Sequence, residues 1–163
     1  MLKKRLETIF ITIIIIAVVV LINNWYSSNN FKNRPLSDEY KRLIAKKEKE
    51  ILGNMRENYG LTFKVPLIVT DKFKNKLYGA TSYKNGEIKI YLNKGVMQES
   101  MEYMLDSVIA HEYAHALMFK LGINSSQNNG HSKEWKEACI SLGGLNCEQY
   151  VDGDEVVMSK MPF

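Results

Sequence analysis

The sequence predicts a small α+β domain carried behind an N-terminal transmembrane helix. Three observations carry this expectation. Residues 9–22 (IFITIIIIAVVVLI) are almost wholly aliphatic and β-branched, with no polar face to give to water. Asn85-Gly86, a strong short-range hairpin signal, separates two strand-like runs. Residues 100–121 repeat apolar side chains at helical spacing and read as a core helix. The expected architecture is a three-stranded, largely antiparallel sheet packed on that helix, with further helices flanking it.

At 163 residues, 45% apolar and 25% charged, the chain has room for one globular domain and an appendage. The apolar run alone is shorter than the roughly 20 residues a spanning helix needs. Counted from Leu6, with Trp25 and Tyr26 as interfacial anchors at its far end, it is long enough. Residues 1–26 are therefore expected to form a transmembrane anchor, or an uncleaved signal-like segment. A cleaved signal peptide shares the basic start and apolar core. However, the NNWYSSNN stretch after Ile22 offers no A-x-A-like site, and no cysteine ends the run to take a lipid. Lys3, Lys4 and Arg5 favour a cytoplasmic N-terminus, because the competing Lys32, Arg34, Lys41 and Arg42 lie farther from the run. The expected topology is single-pass, with the C-terminal domain extracytoplasmic.

Residues 27–36, rich in Ser and Asn and containing Pro35, read as a linker, and residues 37–163 as the domain. Ser37 followed by Asp38 and Glu39 predicts a helix N-terminus. Tyr40, Leu43, Ile44, Ile51, Met55 and Tyr59 recur at helical spacing, and Gly60 closes the helix. Its apolar side is expected on the core rather than on a partner, and the charged stretch 41–50 (KRLIAKKEKE) is read as a solvated face. Residues 61–69 (LTFKVPLIV) are strand-like, with Pro66 restricting them to an edge strand or two short pieces. Residues 77–84 and 87–92 flank the hairpin turn, and in the second run Ile88, Ile90 and Leu92 alternate with Lys89 and Tyr91. Ser100 caps the long helix, Met104, Leu105, Val108, Ile109 and Leu117 form its core side, and Gly122 ends it. After the polar loop 122–130, His131 and Ser132 open a last helix that Gly143-Gly144 terminates. The tail with Asp152-Gly153-Asp154 receives no assignment.

A net charge of +4 suits solubility or weak attraction to acidic surfaces and is far from a nucleic-acid-binding balance. Cys139 and Cys147 lack the paired C-x-x-C spacing of a zinc ribbon. Outside the membrane they are able to form a disulfide; two unconnected thiols, one of them buried, is the equal alternative.

The chain has three histidines, and all fall in one constellation: His111 and His115 in H-E-Y-A-H, then His131. Imidazoles at i and i+4 lie on one face of a helix, close enough to grip one metal ion. This is the H-E-x-x-H pattern of zinc hydrolases. A catalytic zinc takes three protein ligands and keeps one position for water or substrate. His131 is the remaining histidine and the expected third ligand. Glu134 is the rival, as in zinc hydrolases that use a glutamate, but Ala138 stands where those carry a further acidic residue. Zinc acidifies the water it binds, and Glu112 sits where it can act as general base toward that water.

With these residues the chain resembles the SprT-like zinc metallopeptidase family, a group of H-E-x-x-H zincins. The likeness spans roughly residues 38–150: a leading helix, a hairpin, the V-I-A-H-E-Y-A-H-A-L helix, then G-H-S-K-E-W opening the next. The resemblance implies one zinc ion at His111, His115 and His131, Glu112 as catalytic base, and Trp135 as a packing residue beneath the site. Two departures are visible. Ser132 stands where the family often has glycine, and the C-terminal zinc ribbon of many members lacks its cysteines here. Family members that cut proteins crosslinked to DNA act inside the cell; the anchor and modest charge argue against carrying that substrate over.

The expected function is a membrane-anchored zinc metalloendopeptidase acting on protein or peptide substrates, with nucleic acid not expected as a partner. Substrate is expected to lie extended along a sheet edge, either residues 87–92 or 61–69. The alternatives are a non-catalytic zinc-bearing peptide-binding module and an intracellular DNA-associated SprT-like protease. Glu112 argues against the first, since a purely structural site needs no base and usually fills all four positions.

Overall fold

The computed structural model describes residues 2–73, 77–123 and 130–148, so the 152–154 tail falls outside the described residues. The chain divides into two compact units, Met1–Leu36 and Ser37–Phe163. The first is a single helix, α1 (Leu2–Asn33), long and apolar enough from Lys3 to cross a membrane. Its two threonines fold their hydroxyls back onto the helix, Thr8 onto the carbonyl of Lys4 and Thr12 onto that of Thr8. Each hydroxyl proton is thereby satisfied within the helix itself. The helix runs on through the Ser/Asn-rich residues expected to be a linker and stops at Asn33. Pro35 explains the stop, because its ring disfavours helical backbone at Arg34. Composition marks Ser and Asn as loop formers, yet propensity is a weak bias once a long helix is already propagating.

The second unit starts with α2 (Asp38–Tyr59). The Ser37 hydroxyl accepts from the Tyr40 N–H, and Gly60 closes the helix at φ 66. Both caps are local chemistry, which is why both ends were readable in sequence. Ile44, Ile51 and Met55 are buried. The charged stretch is only partly solvated. Glu48 is buried, and the Lys47 ammonium donates to the carbonyl of Gly143 at 3.0 Å.

Strands β1 (Leu67–Thr70), β2 (Gly79–Lys84) and β3 (Glu87–Asn93) form one sheet in the order β1-β3-β2. β1 begins only after Pro66, whose carbonyl accepts from the Ile90 N–H. β2 and β3 pair antiparallel over six positions around the turn, where Asn85 (φ 54) and Gly86 (φ 82) take the two left-handed conformations a type I′ turn needs. β1 joins β3 in parallel over four positions, which makes the sheet mixed. β3 is central, with Ile90 and Leu92 fully buried. Residues 87–92 therefore offer no edge; the edges of the described sheet are β1 and β2.

A short helix, α3 (Lys94–Glu99), leads to Ser100. Ser100 closes α3 with its own N–H and opens α4 (Met101–Tyr103) with its hydroxyl. α4 passes through a π-helical turn, Met104–Val108, into α5 (Ile109–Leu121), and Gly122 ends the run at φ 70. The π turn is held from outside. The Leu145 N–H donates to the Asp106 carbonyl at 2.9 Å and the Asn146 N–H to the Ser107 hydroxyl at 3.2 Å.

α6 (Lys133–Ser141) packs against α5. Side chains of α2 cap its end: Asn54 and Asn58 donate to the carbonyls of Leu142 and Ser141. These would otherwise be orphan acceptors of a helix C-terminus. Cys139 and Cys147 form a disulfide across a separation of eight residues, so neither described thiol is free. Gly144 is required there, because a Cβ at that position would stand 2.8 Å from both sulfurs. Replacing both cysteines by serine should cost about 2–3 kcal/mol of stability. Denaturant melts of wild type and the double variant, each with and without reductant, check this. Reductant should lower the wild-type midpoint and leave the variant's unchanged.

Candidate metal centre

α5 is a rigid support for the motif it carries. Ile109, Ala110, Tyr113, Ala114 and Leu117 are all fully buried. The Tyr113 hydroxyl donates to Glu48 Oε1 of α2 at 2.7 Å, and Lys64 Nζ lies 2.7 Å from Glu48 Oε2. Burial, reinforced by the carboxylate it serves, holds the Tyr113 phenol well above its usual pKa, so it stays a donor. This buried bridge fixes the rotation of α5 about its axis, and with it the direction in which the histidines face.

His111 and His115 share one side of α5 one turn apart. His131 reaches them from the start of α6. Gly130 turns the chain at φ 88, and the Ser132 hydroxyl accepts from the Trp135 N–H to begin the helix. Serine in place of the family's common glycine thus serves as an N-cap. His131 Nε2 lies 3.1 Å from His111 Nε2 and 3.2 Å from His115 Nε2. Each of the three residues offers one ring nitrogen, and these lie within 4.8 Å of one another. Trp135, 1% exposed, packs against all three imidazoles with ring centroids 4.3–5.1 Å away. The rival Glu134 is exposed and hydrogen-bonds to Ser132; it is not part of the cluster.

The donor set suits a metal ion. Tetrahedral zinc with Zn–N distances of about 2.0–2.1 Å needs nitrogens about 3.3 Å apart, close to the two separations found. The imidazoles also have the right charge state. Burial, and then the other histidines, lower His111 to about 3, and burial and His131 lower His115 to about 4. Both are neutral at physiological pH, with lone pairs free for a metal.

Glu112 is turned toward β2. It is 4% exposed, and the Thr81 hydroxyl lies 2.7 Å from its Oε2 and 2.9 Å from its backbone carbonyl. Burial raises its pKa to about 7, against a smaller opposing effect of the Thr81 hydrogen bond. A Glu poised near neutrality is the range a general base requires. Sequence reasoning placed all four motif residues in one region but did not single out Thr81, which strand alternation marks only as facing the same way as Tyr83.

A family model described as SprT-like matches residues 40–152. The chain belongs to the SprT-like family. The match takes in the whole of the site, from the first turn of α2 to beyond the disulfide, and agrees with the α+β architecture just described. No curated protein matches the chain. The SprT-like family is metal-dependent and metallopeptidase-like, and His111, His115 and His131 stand close enough together to hold one metal ion.

Proposed function

We propose that this SprT-like domain is a membrane-anchored zinc metalloendopeptidase, with His111, His115 and His131 as zinc ligands and Glu112 as general base. The observation that carries the reading is the cluster of three imidazole nitrogens within 4.8 Å of one another, beside a buried carboxyl on the same helix. A bound zinc ion would supply Lewis acidity and an acidified water in the position the protein leaves open. The three imidazoles would hold the ion on a rigid support, and Glu112 accepts a proton and returns it to the departing amine. Residues 1–26 serve as the anchor, 27–36 as the connection and 37–163 as the catalytic domain. The basic N-terminus favours a cytoplasmic start and an extracytoplasmic domain, and the disulfide supports an oxidising surrounding for the latter. That same disulfide weighs against the intracellular DNA-associated alternative.

Substrate is a protein or peptide strand laid along β2. Thr81 brings this edge, and not β1, against Glu112, and strand addition gives backbone hydrogen bonds without demanding a particular side-chain sequence. The test is cleavage of a mixed peptide pool by the full-length protein in micelles, with metal content measured in parallel. Cleavage that stops on chelation and returns with zinc is the expected result. Stoichiometric zinc with no cut peptide would favour the peptide-binding module, and a folded protein that takes up no zinc would end the metal-site reading.

A further inference from the structure

The Glu112 carboxylate is almost completely buried, and a buried carboxylate must be held by donors or relocate. The hydroxyl of Thr81 on β2 donates to it. A threonine has a single O–H to give. Of its two acceptors, the Glu112 backbone carbonyl lies within α5, where helical bonding already serves it, whereas Oε2 is both nearer and charged when ionised. The hydroxyl therefore belongs on Oε2, which leaves Oε1 as the oxygen that Thr81 does not engage.

Two residues before Thr81, and so on the same face of the strand, stands Gly79. Its φ is not positive, so its backbone does not call for glycine. Space does. A Cβ built there would lie 2.8 Å from Glu112 Oε1, 2.9 Å from Cγ and 3.1 Å from Cδ. The far end of a glutamate would ordinarily swing aside, but this one is enclosed and pinned at Oε2. Both positions are set by the antiparallel register with the central strand, Gly79 opposite Leu92 and Thr81 opposite Ile90. Tyr83, next on the same face, stacks on Phe119 of α5 with centroids 5.3 Å apart, which aligns strand and helix along their length.

We propose that Thr81 and Gly79 are positioning residues for the base: the Thr81 hydroxyl fixes Oε2, and the missing side chain of Gly79 is the space that Oε1 occupies. The catalytic consequence rests on the peptidase reading above; the geometric one does not. Threonine suits the task better than serine, because its β-branched χ1 is stiff and needs no ordering at each turnover.

The test compares full-length wild type with Thr81→Val, Thr81→Ser and Gly79→Ala, all in micelles. Thr81→Val keeps the shape and removes the donor. It should lower kcat about 10- to 100-fold, as expected for losing one hydrogen bond to a charged group, with zinc content unchanged and KM within about twofold. Thr81→Ser should recover to within about threefold of wild type. Gly79→Ala should lose about 100-fold in kcat through displacement of the carboxylate, again with zinc retained. Wild-type turnover in Thr81→Val or Gly79→Ala would overturn the proposal, as would a serine variant no better than the valine one.

A second readout needs no activity. In metal-free protein labelled at glutamate Cδ with 13C, the Glu112 signal is assigned by its loss in Glu112→Gln. That signal should move in Thr81→Val and Gly79→Ala and stay near wild type in Thr81→Ser. If wild type cuts nothing yet the signal behaves this way, the peptidase reading fails and the positioning stands. If the signal is indifferent to Thr81→Val, the positioning fails whatever the activity.

Discussion

Replacing Glu112 by glutamine should abolish turnover while leaving zinc bound, with kcat down by about 10²- to 10⁴-fold, the usual share of a general base. Glutamine fits the enclosure between Gly79 and Thr81 and can accept the same hydroxyl, so the ligand triangle is not disturbed. The same substitution should stabilise the metal-free protein at alkaline pH. Burial raises Glu112 from an ordinary 4.5 to about 7 in the native state. Between those values the native state holds a proton that the unfolded state has already released, so this group's contribution to stability falls as pH rises through the window. Above pH 7 the full cost of a buried carboxylate is present; below 4.5 it is absent. Denaturant melts of metal-free wild type and Glu112→Gln should therefore coincide near pH 4 and diverge in favour of the variant at pH 8, by at most about 3 kcal/mol. A base that destabilises its own fold is what a functional carboxylate looks like, and equal melts at pH 8 would show that it is not held as described. Turnover in Glu112→Gln at the wild-type rate would remove it from the chemistry altogether.

The parts of this fold that sequence reveals are those whose causes are local. Ser37 and Gly60 bound α2 through hydrogen bonds to residues within one turn. Asn85-Gly86 sets a hairpin because those two residues tolerate positive φ. The H-E-x-x-H spacing needs only a helix to place His111 and His115 together. What stayed hidden depends on residues far apart in the chain. The π turn at Met104–Val108 is braced from far along the chain, where the Leu145 and Asn146 N–H groups donate to the Asp106 carbonyl and the Ser107 hydroxyl. The parallel seat of β1 beside β3 is a choice between two neighbours that both present apolar residues. Lys47 and Glu48 read as solvated because their partners, Gly143 and Tyr113, lie across the domain. Gly79 and Thr81 are ordinary strand residues until β2 is laid over α5.

His131 is the one proposed ligand that α5 does not carry, so its removal is the sharpest test of the assembled site. Zinc binding by protein sites is worth about 10–16 kcal/mol over four ligands, so one imidazole accounts for roughly 3–4 kcal/mol, or about 10²- to 10³-fold in Kd. His131→Ala should weaken zinc by that factor in competition against a chromophoric chelator, and should erase the rise in Tm that zinc gives wild type. The fold itself should survive. The Ser132 cap, the buried Trp135, the disulfide and the α2 side chains at the end of α6 hold that helix in place without a metal. Glu134→Ala is the matched control. Its carboxylate is exposed and bonded to Ser132, on the solvent side of the first turn of α6, and should leave zinc affinity unchanged. Loss of zinc in Glu134→Ala and retention in His131→Ala would exchange the histidine for a glutamate as third ligand. Loss in His131→Ala alone upholds the three-histidine site, which puts the burden of general base catalysis on Glu112 and of aiming it on Thr81 and Gly79.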